Sequence, residues 1–218
     1  MTVAEKLRIV KSEWVTNPIW SLFSEELLAL EIELGKPIHD STHPTRIFEY
    51  PWVYMNLGPF MPEDVVLDAG PGKTALQFLI SKRVKEVHGL DLDKKSVEWV
   101  DDVCREKHYD NVFPMYADIL KAPYPDNHFD KIVCISVLEH IKKDKVKHAV
   151  DELVRMVKPS GKIVVTMDVA LNQTGNQVTM DDFMQIMGGQ VREPNDRVSV
   201  FNIDGIHFSV VCMLIGKE

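Results

Sequence analysis

From Pro62 onward the chain alternates short β-branched runs with helical patterns, and this alternation constrains the fold more than any other feature. Residues 65–68 read as a strand and 74–83 as a helix. Strands at 87–91 and 112–116 flank a helix at 94–107. A fourth strand is expected at 131–136 and a fifth at 162–167. Between them, 144–157 reads as a helix with Val146, Ala149, Val150, Leu153 and Val157 on one face. Repeated β-α units require parallel strands with helices on both faces. The end of the chain differs. Thr179 is placed to cap a short helix at 180–187, which Gly188 and Gly189 stop. Runs at 198–203 and 206–215 are separated only by Asp204-Gly205, a hairpin signal. The expected fold is therefore a doubly wound, mostly parallel, seven-stranded Rossmann-like α/β sheet closed by an antiparallel hairpin strand.

The first part of the chain reads differently. Residues 5–33 are mostly helical, with Leu22, Phe23, Leu27, Leu28 and Leu30 as apolar positions and Gly35 and Pro37 as stops. Next comes HDSTHPTRIFEYPWVYMNLGPFMPED. Its prolines, Pro44, Pro51, Pro59 and Pro62, predict turns and short pieces. The chain thus divides into a helical, aromatic lid or substrate-shaping extension at 1–61 and an α/β domain at 62–218. His39, Asp40 and His43 lack a third firm ligand, so no metal site is expected. The formal charge of −8 argues against a nucleic-acid partner, which needs clustered cations. No apolar run reaches the ~18 residues of a membrane span, and the N-terminal residues do not resemble a signal peptide. Cys104, Cys134 and Cys212 form no close pair, and the latter two read as core residues of a cytoplasmic protein. Nothing in the sequence specifies an oligomeric state.

The first strand runs straight into Asp68-Ala69-Gly70-Pro71-Gly72-Lys73-Thr74. In an open α/β sheet, ligands sit beyond the carboxyl ends of the strands, and glycines there allow close backbone approach. A second acidic residue is expected some 20 residues on, and Asp91 ends the second strand. Three ligand classes compete. A P-loop lacks its leading glycine, since that position is Leu67. A dinucleotide fits Gly70-x-Gly72-x-x-Ala75, but Asp68 would repel a pyrophosphate. Asp68 suits a ligand bearing a cationic amine and no phosphate.

The segments VVLDAGPG, GLDLD, ADILKAPYPDNHFDKIVCISVLEHI and VKPSGKIVVT resemble the ordered motifs of class I S-adenosylmethionine-dependent methyltransferases, over roughly residues 62–218. The resemblance implies that Asp68, Ala69, Gly70, Pro71 and Gly72 hold the methionine end of S-adenosylmethionine. It implies that Asp91, with Leu92 beside it, binds the ribose. It implies further that Asp118 accepts from the adenine amine, that Ile119 lies against the ring, and that Ser136 and Val137 line the site. The departure is Thr74, where many members carry a third glycine.

Methyl transfer relies on positioning more than on acid–base chemistry. His140, with Glu139 next to it, is the catalytic candidate, the alternative being that they start and cap the following helix. Arg46 is placed to pair with the methionine carboxylate or an anionic acceptor, and Tyr50 and Trp52 to stack on a ring, the alternative being an aromatic plug that packs the extension onto the sheet, which Trp52 fits better. The reading is a methyltransferase acting on an oxygen or nitrogen of a small-molecule acceptor, with a sugar or glycan precursor preferred. An NAD-dependent oxidoreductase and a non-catalytic S-adenosylmethionine-binding regulator are the alternatives.

Overall fold

The computed structural model describes residues 18–35, 45–170, 178–187, 196–203 and 206–215. His39, Asp40 and His43, the Asp204-Gly205 turn, Gly188 and Gly189 lie outside these residues, as does the Cys212 side chain. Helices α1 (Pro18–Leu34) and α2 (Arg46–Leu57) precede β1 (Val65–Ala69). Then follow α3 (Leu76–Ser81), β2 (Glu86–Asp91), α4 (Lys94–Lys107), β3 (Val112–Tyr116) and β4 (Phe129–Ile135). The chain continues through α5 (Lys143–Met156), β5 (Val157–Ala170), α6 (Met180–Met187), β6 (Asp196–Ile203) and β7 (Ile206–Ile215).

Five strands are parallel, in the order β3-β2-β1-β4-β5. β7 pairs antiparallel with β5, and β6 with β7. Strand order reverses between β1 and β4, so the crevice lies above their carboxyl ends. Alternation along the strands supplies two cores. Val66, Val87, Val133 and Val164 face α1, α2, α3 and α4. Leu67, Ile132, Cys134, Ile163 and Val165 face α5.

Local chemistry explains the helix ends. Asp93 caps α4 by accepting from Lys95 N at 3.1 Å, and His108, at φ 59°, closes it in the left-handed region. Arg105 and Lys107 sit in its last turn, where cations are favoured. The α6 start is a reciprocal box: Asp182 N donates to Thr179 Oγ1 at 3.2 Å, and Thr179 N donates to Asp182 Oδ2 at 3.0 Å.

The expected turns are wrong over Arg46–Leu57, because α2 runs through Pro51, whereas the turns at Pro59 and Pro62 are present. An interior proline costs about 3 kcal/mol. Phe48, Val53 and Leu57 are each at most 2% exposed, and burying one such side chain stabilises by about 1.5–3 kcal/mol. Tertiary burial therefore outweighs the local penalty. Strand β5 extends beyond its expected 162–167, and the extension carries Asp168, discussed below.

Helices α1 and α2 share one core with the sheet, since Leu27 and Phe48 cluster with Val66, Val133 and Val164. Leu27→Ala should lower unfolding stability by about 2–5 kcal/mol. Urea denaturation followed by fluorescence and by far-UV dichroism should still give one coincident transition. Two separate transitions would show that the N-terminal helices do not share that core.

Candidate functional site

Three strand ends and the α2 helix build the site. Asp68, next to last in β1, is 2% exposed. Beyond it Gly70 and Gly72 adopt φ 76° and 60°, conformations that strain any residue with a Cβ. At Gly70 a Cβ would lie 2.5 Å from Val137 Cγ2, so packing on the β4 loop demands this glycine as much as ligand approach does. Gly70 N donates to Leu90 O at 2.7 Å. Asp91 tightens the loop further, accepting from Gly72 N at 2.8 Å and Asp93 N at 2.7 Å. Thr74, in place of a third glycine, accepts from Leu76 N at 3.2 Å. Its side chain is also hydrogen-bonded to Tyr50, whose phenol burial pushes up to about 12.

From the other side, α2 brings in Glu49, a fully buried carboxylate. Its Oε1 accepts from Ser136 Oγ at 2.7 Å and from Thr166 Oγ1, and its Oε2 accepts from Arg46 Nη1. Arg46 Nη1 also donates to Ser136 Oγ at 2.6 Å. This network holds Ser136 at φ 49°, left-handed for a residue with a Cβ. A cavity of about 170 Å³ opens between the halves, lined by Arg46, Tyr50, Asp68, Gly70, Pro71, Gly72, Thr74, Leu76, Ile135, Ser136 and His140.

Most residues expected for the methionine end thus meet in one place. Ala69 is buried beneath it. Asp91, Leu92, Asp118 and Ile119 lie beyond this cavity, at the ends of β2 and β3. Asp118 caps a 3₁₀ turn by accepting from Leu120 N at 2.9 Å. Ile119 is buried, and Leu92 is exposed. Trp52 is 2% exposed and packs as a plug in the core. Glu139 and His140 do not start the next helix. They form a separate 3₁₀ turn at Leu138–His140, and α5 begins only at Lys143.

The electrostatics are uneven. Asp68 Oδ2 is buried without a hydrogen-bond partner. Burial, then the Asp91 charge, pushes its carboxyl up to about 8. Burial, then the Asp168 charge, lifts Glu139 to about 8. Asp168, at the far end of β5, is raised to about 7 by burial and then by Glu49. Sequence reading missed Glu49, Thr166 and Asp168 as site residues. The available signal for Asp168 was a charge interrupting the apolar run Val164–Ala170.

A backbone that turns sharply beside an unpaired carboxylate, above the reversal in strand order, defines a site for an adenosyl-type ligand with a cationic end. Residues 67–165 match the family model described as "Methyltransferase domain". This domain, which covers less than half of the chain, is similar to that of the class I S-adenosylmethionine-dependent methyltransferases. It is 32% identical over 135 residues to the uncharacterized methyltransferase YcgJ of Bacillus subtilis, covering 61% of this chain and 50% of that protein. It is 27% identical over 147 residues to a tRNA (carboxymethyluridine(34)-5-O)-methyltransferase of Arabidopsis thaliana, covering 65% of this chain and 34% of that one. The chain therefore spans half or less of these curated relatives. Geranyl diphosphate C-methyltransferase from Streptomyces coelicolor A3(2) shares the fold, with a TM-score of 0.68, 14% identity and coverage of 93% of this chain and 99% of that chain.

Asp68 gives a pH test. Its folded carboxyl is raised from 3.8 to about 8, so the folded apoprotein holds a proton that the unfolded chain releases. The associated stability is complete below the unfolded value and is lost as pH rises through about 8. Within that window this one group contributes a fall of up to about 1.4 kcal/mol per pH unit. Asp68→Asn should flatten the fall by about one proton in urea titrations at several pH values. An unchanged slope would mean that Asp68 is already ionised in the free protein.

Proposed function

We propose that this chain transfers a methyl group from S-adenosylmethionine to an oxygen or nitrogen of a small molecule. The observation that carries the reading is Asp68: a buried, unpartnered carboxylate oxygen beside two left-handed glycines. A pyrophosphate would meet repulsion there, whereas an α-ammonium group supplies the missing donor and charge. Asp91, at the end of β2, is assigned the ribose hydroxyls, and Asp118, after β3, the adenine amine. Arg46 uses Nη1 for its recorded bonds to Thr45, Glu49 and Ser136. The rest of its guanidinium fork is assigned to the methionine carboxylate.

When bound, S-adenosylmethionine supplies an electrophilic methyl carbon on a sulfonium. The protein's contribution is to orient the two partners, exclude water and remove a proton from the acceptor. His140 lines the cavity on an exposed turn, and Glu139 lies next to it in sequence. These two residues are assigned the acceptor's proton. We read residues 1–61 as a lid whose α2 helix walls the cavity, and β6–β7 as the closing hairpin of the family fold. A sugar acceptor would stack on the aromatic lid, and the burial of both Tyr50 and Trp52 counts against that preference. The acidic surroundings do not favour a nucleic-acid acceptor.

Thermal or chemical denaturation with S-adenosylmethionine, S-adenosylhomocysteine, NAD and ATP tests the donor. Either adenosyl ligand, at ~100-fold over Kd, should stabilise the protein by about 2.7 kcal/mol. Asp91→Ala should remove most of that gain. Stabilisation by NAD alone would sink the reading.

A further inference from the structure

Strand order spreads the site along a line. Asp118 and Asp91 follow β3 and β2, Asp68 is on β1, and Ser136 follows β4. Glu139 and Asp168 stand at the opposite end from the adenosyl side, after β4 and on β5. On β5, Asp168 shares the face of Thr166, which bonds Glu49 of α2. This places both carboxyls beside the Arg46–Glu49 pair, next to the cavity that Arg46 lines.

The charges there do not balance. Arg46 supplies the cation in this group, and it is held by Glu49. Ser136 and Thr166 also donate to Glu49. The Glu139 carboxyl accepts from the backbone N–H groups of Glu139 and Asp168, but its Oε2, like Asp168 Oδ1, is buried with no hydrogen-bond partner. A buried carboxylate oxygen without a donor is costly, and the missing component is a cation with N–H groups to give. The S-adenosylmethionine ammonium is already accounted for by Asp68, on the other side of Ser136.

We propose that Glu139 and Asp168 form the recognition site for a positively charged amine on the methyl acceptor, which makes the acceptor a primary or secondary amine. This rests on the methyl-transfer reading and narrows it. The pair orients the ammonium through two charge-assisted hydrogen bonds. One carboxylate then takes the ammonium proton, leaving the amine neutral with its lone pair free. Anionic acceptors meet repulsion from three carboxylates set against one guanidinium.

The test uses the full chain saturated with S-adenosylhomocysteine, titrated with benzylamine and cyclohexylamine and with their isosteres benzyl alcohol and cyclohexanol. Calorimetry or ligand-observed magnetic resonance reads the affinities. The amines should bind at least about tenfold more tightly than the alcohols. Glu139→Gln and Asp168→Asn should each cost about tenfold or more in amine affinity, while S-adenosylhomocysteine affinity changes less than about twofold. Equal binding of amines and alcohols by the wild-type protein overturns the proposal without reference to any variant. So does absence of amine binding at millimolar concentration. Loss of S-adenosylhomocysteine affinity in both variants would assign the pair to the donor instead. Failure of the wild-type chain to bind S-adenosylhomocysteine at all would remove the parent reading, and this one with it.

Discussion

The site depends on the burial of one carboxylate. Glu49 is withdrawn from water by α2 and satisfied by Arg46, Ser136 and Thr166 together. An isolated buried charge is too costly to persist, whereas one with three donors is tolerated. Those donors come from α2 itself and from the carboxyl ends of β4 and β5. The bonds therefore fix the N-terminal helix to the sheet, hold Ser136 in a left-handed conformation and aim Arg46 at the cavity. A helix packed only by apolar contacts would be free to slide. Bonds from one carboxylate to two adjacent strands set its register.

The same pairing leaves the rest of the site unbalanced. With the guanidinium committed to Glu49, the apoprotein keeps Asp68, Glu139 and Asp168 as buried acids, each raised toward or above neutrality. Raised carboxyls mean that the free protein stores unfavourable desolvation at the three positions proposed to meet ligands. A cationic ligand relieves that cost by supplying both charge and donors. Such relief is a source of affinity that shape alone does not provide, and it selects by charge before it selects by shape.

The sheet and the adenosyl side were legible in the sequence because both follow from local rules. Hydrophobic runs of strand length, separated by helical patterns, place β1 to β4 within a residue or two, and a strand end followed by glycines places Asp68. Asp91 then falls at the next strand end by spacing alone. Other features depended on tertiary burial that local rules do not carry. Pro51 reads as a breaker, yet α2 passes through it because Phe48, Val53 and Leu57 are buried on the sheet. Strand β5 reads as stopping at Met167, so Asp168 was not counted at the site. Gly70 was read as room for a ligand, and the structure adds that Val137 fills the space a Cβ would need.

These failures share a location. Donor-side residues sit on consecutive β-α units, where each side chain is positioned by the element that carries it. On the acceptor side, groups from α2, the turn after β4 and the end of β5 meet across more than a hundred residues of sequence, as the Thr166–Glu49 bond shows. No periodicity links Glu49 to Asp168. Their proximity follows from strand order, which places β5 next to β4, and from the burial that docks α2 across both. In the proposed reading, acceptor specificity lies in long-range packing. The ends of consecutive strands are enough to mark the proposed donor site, whereas the proposed acceptor site emerges only once the unpaired charges have been located in three dimensions.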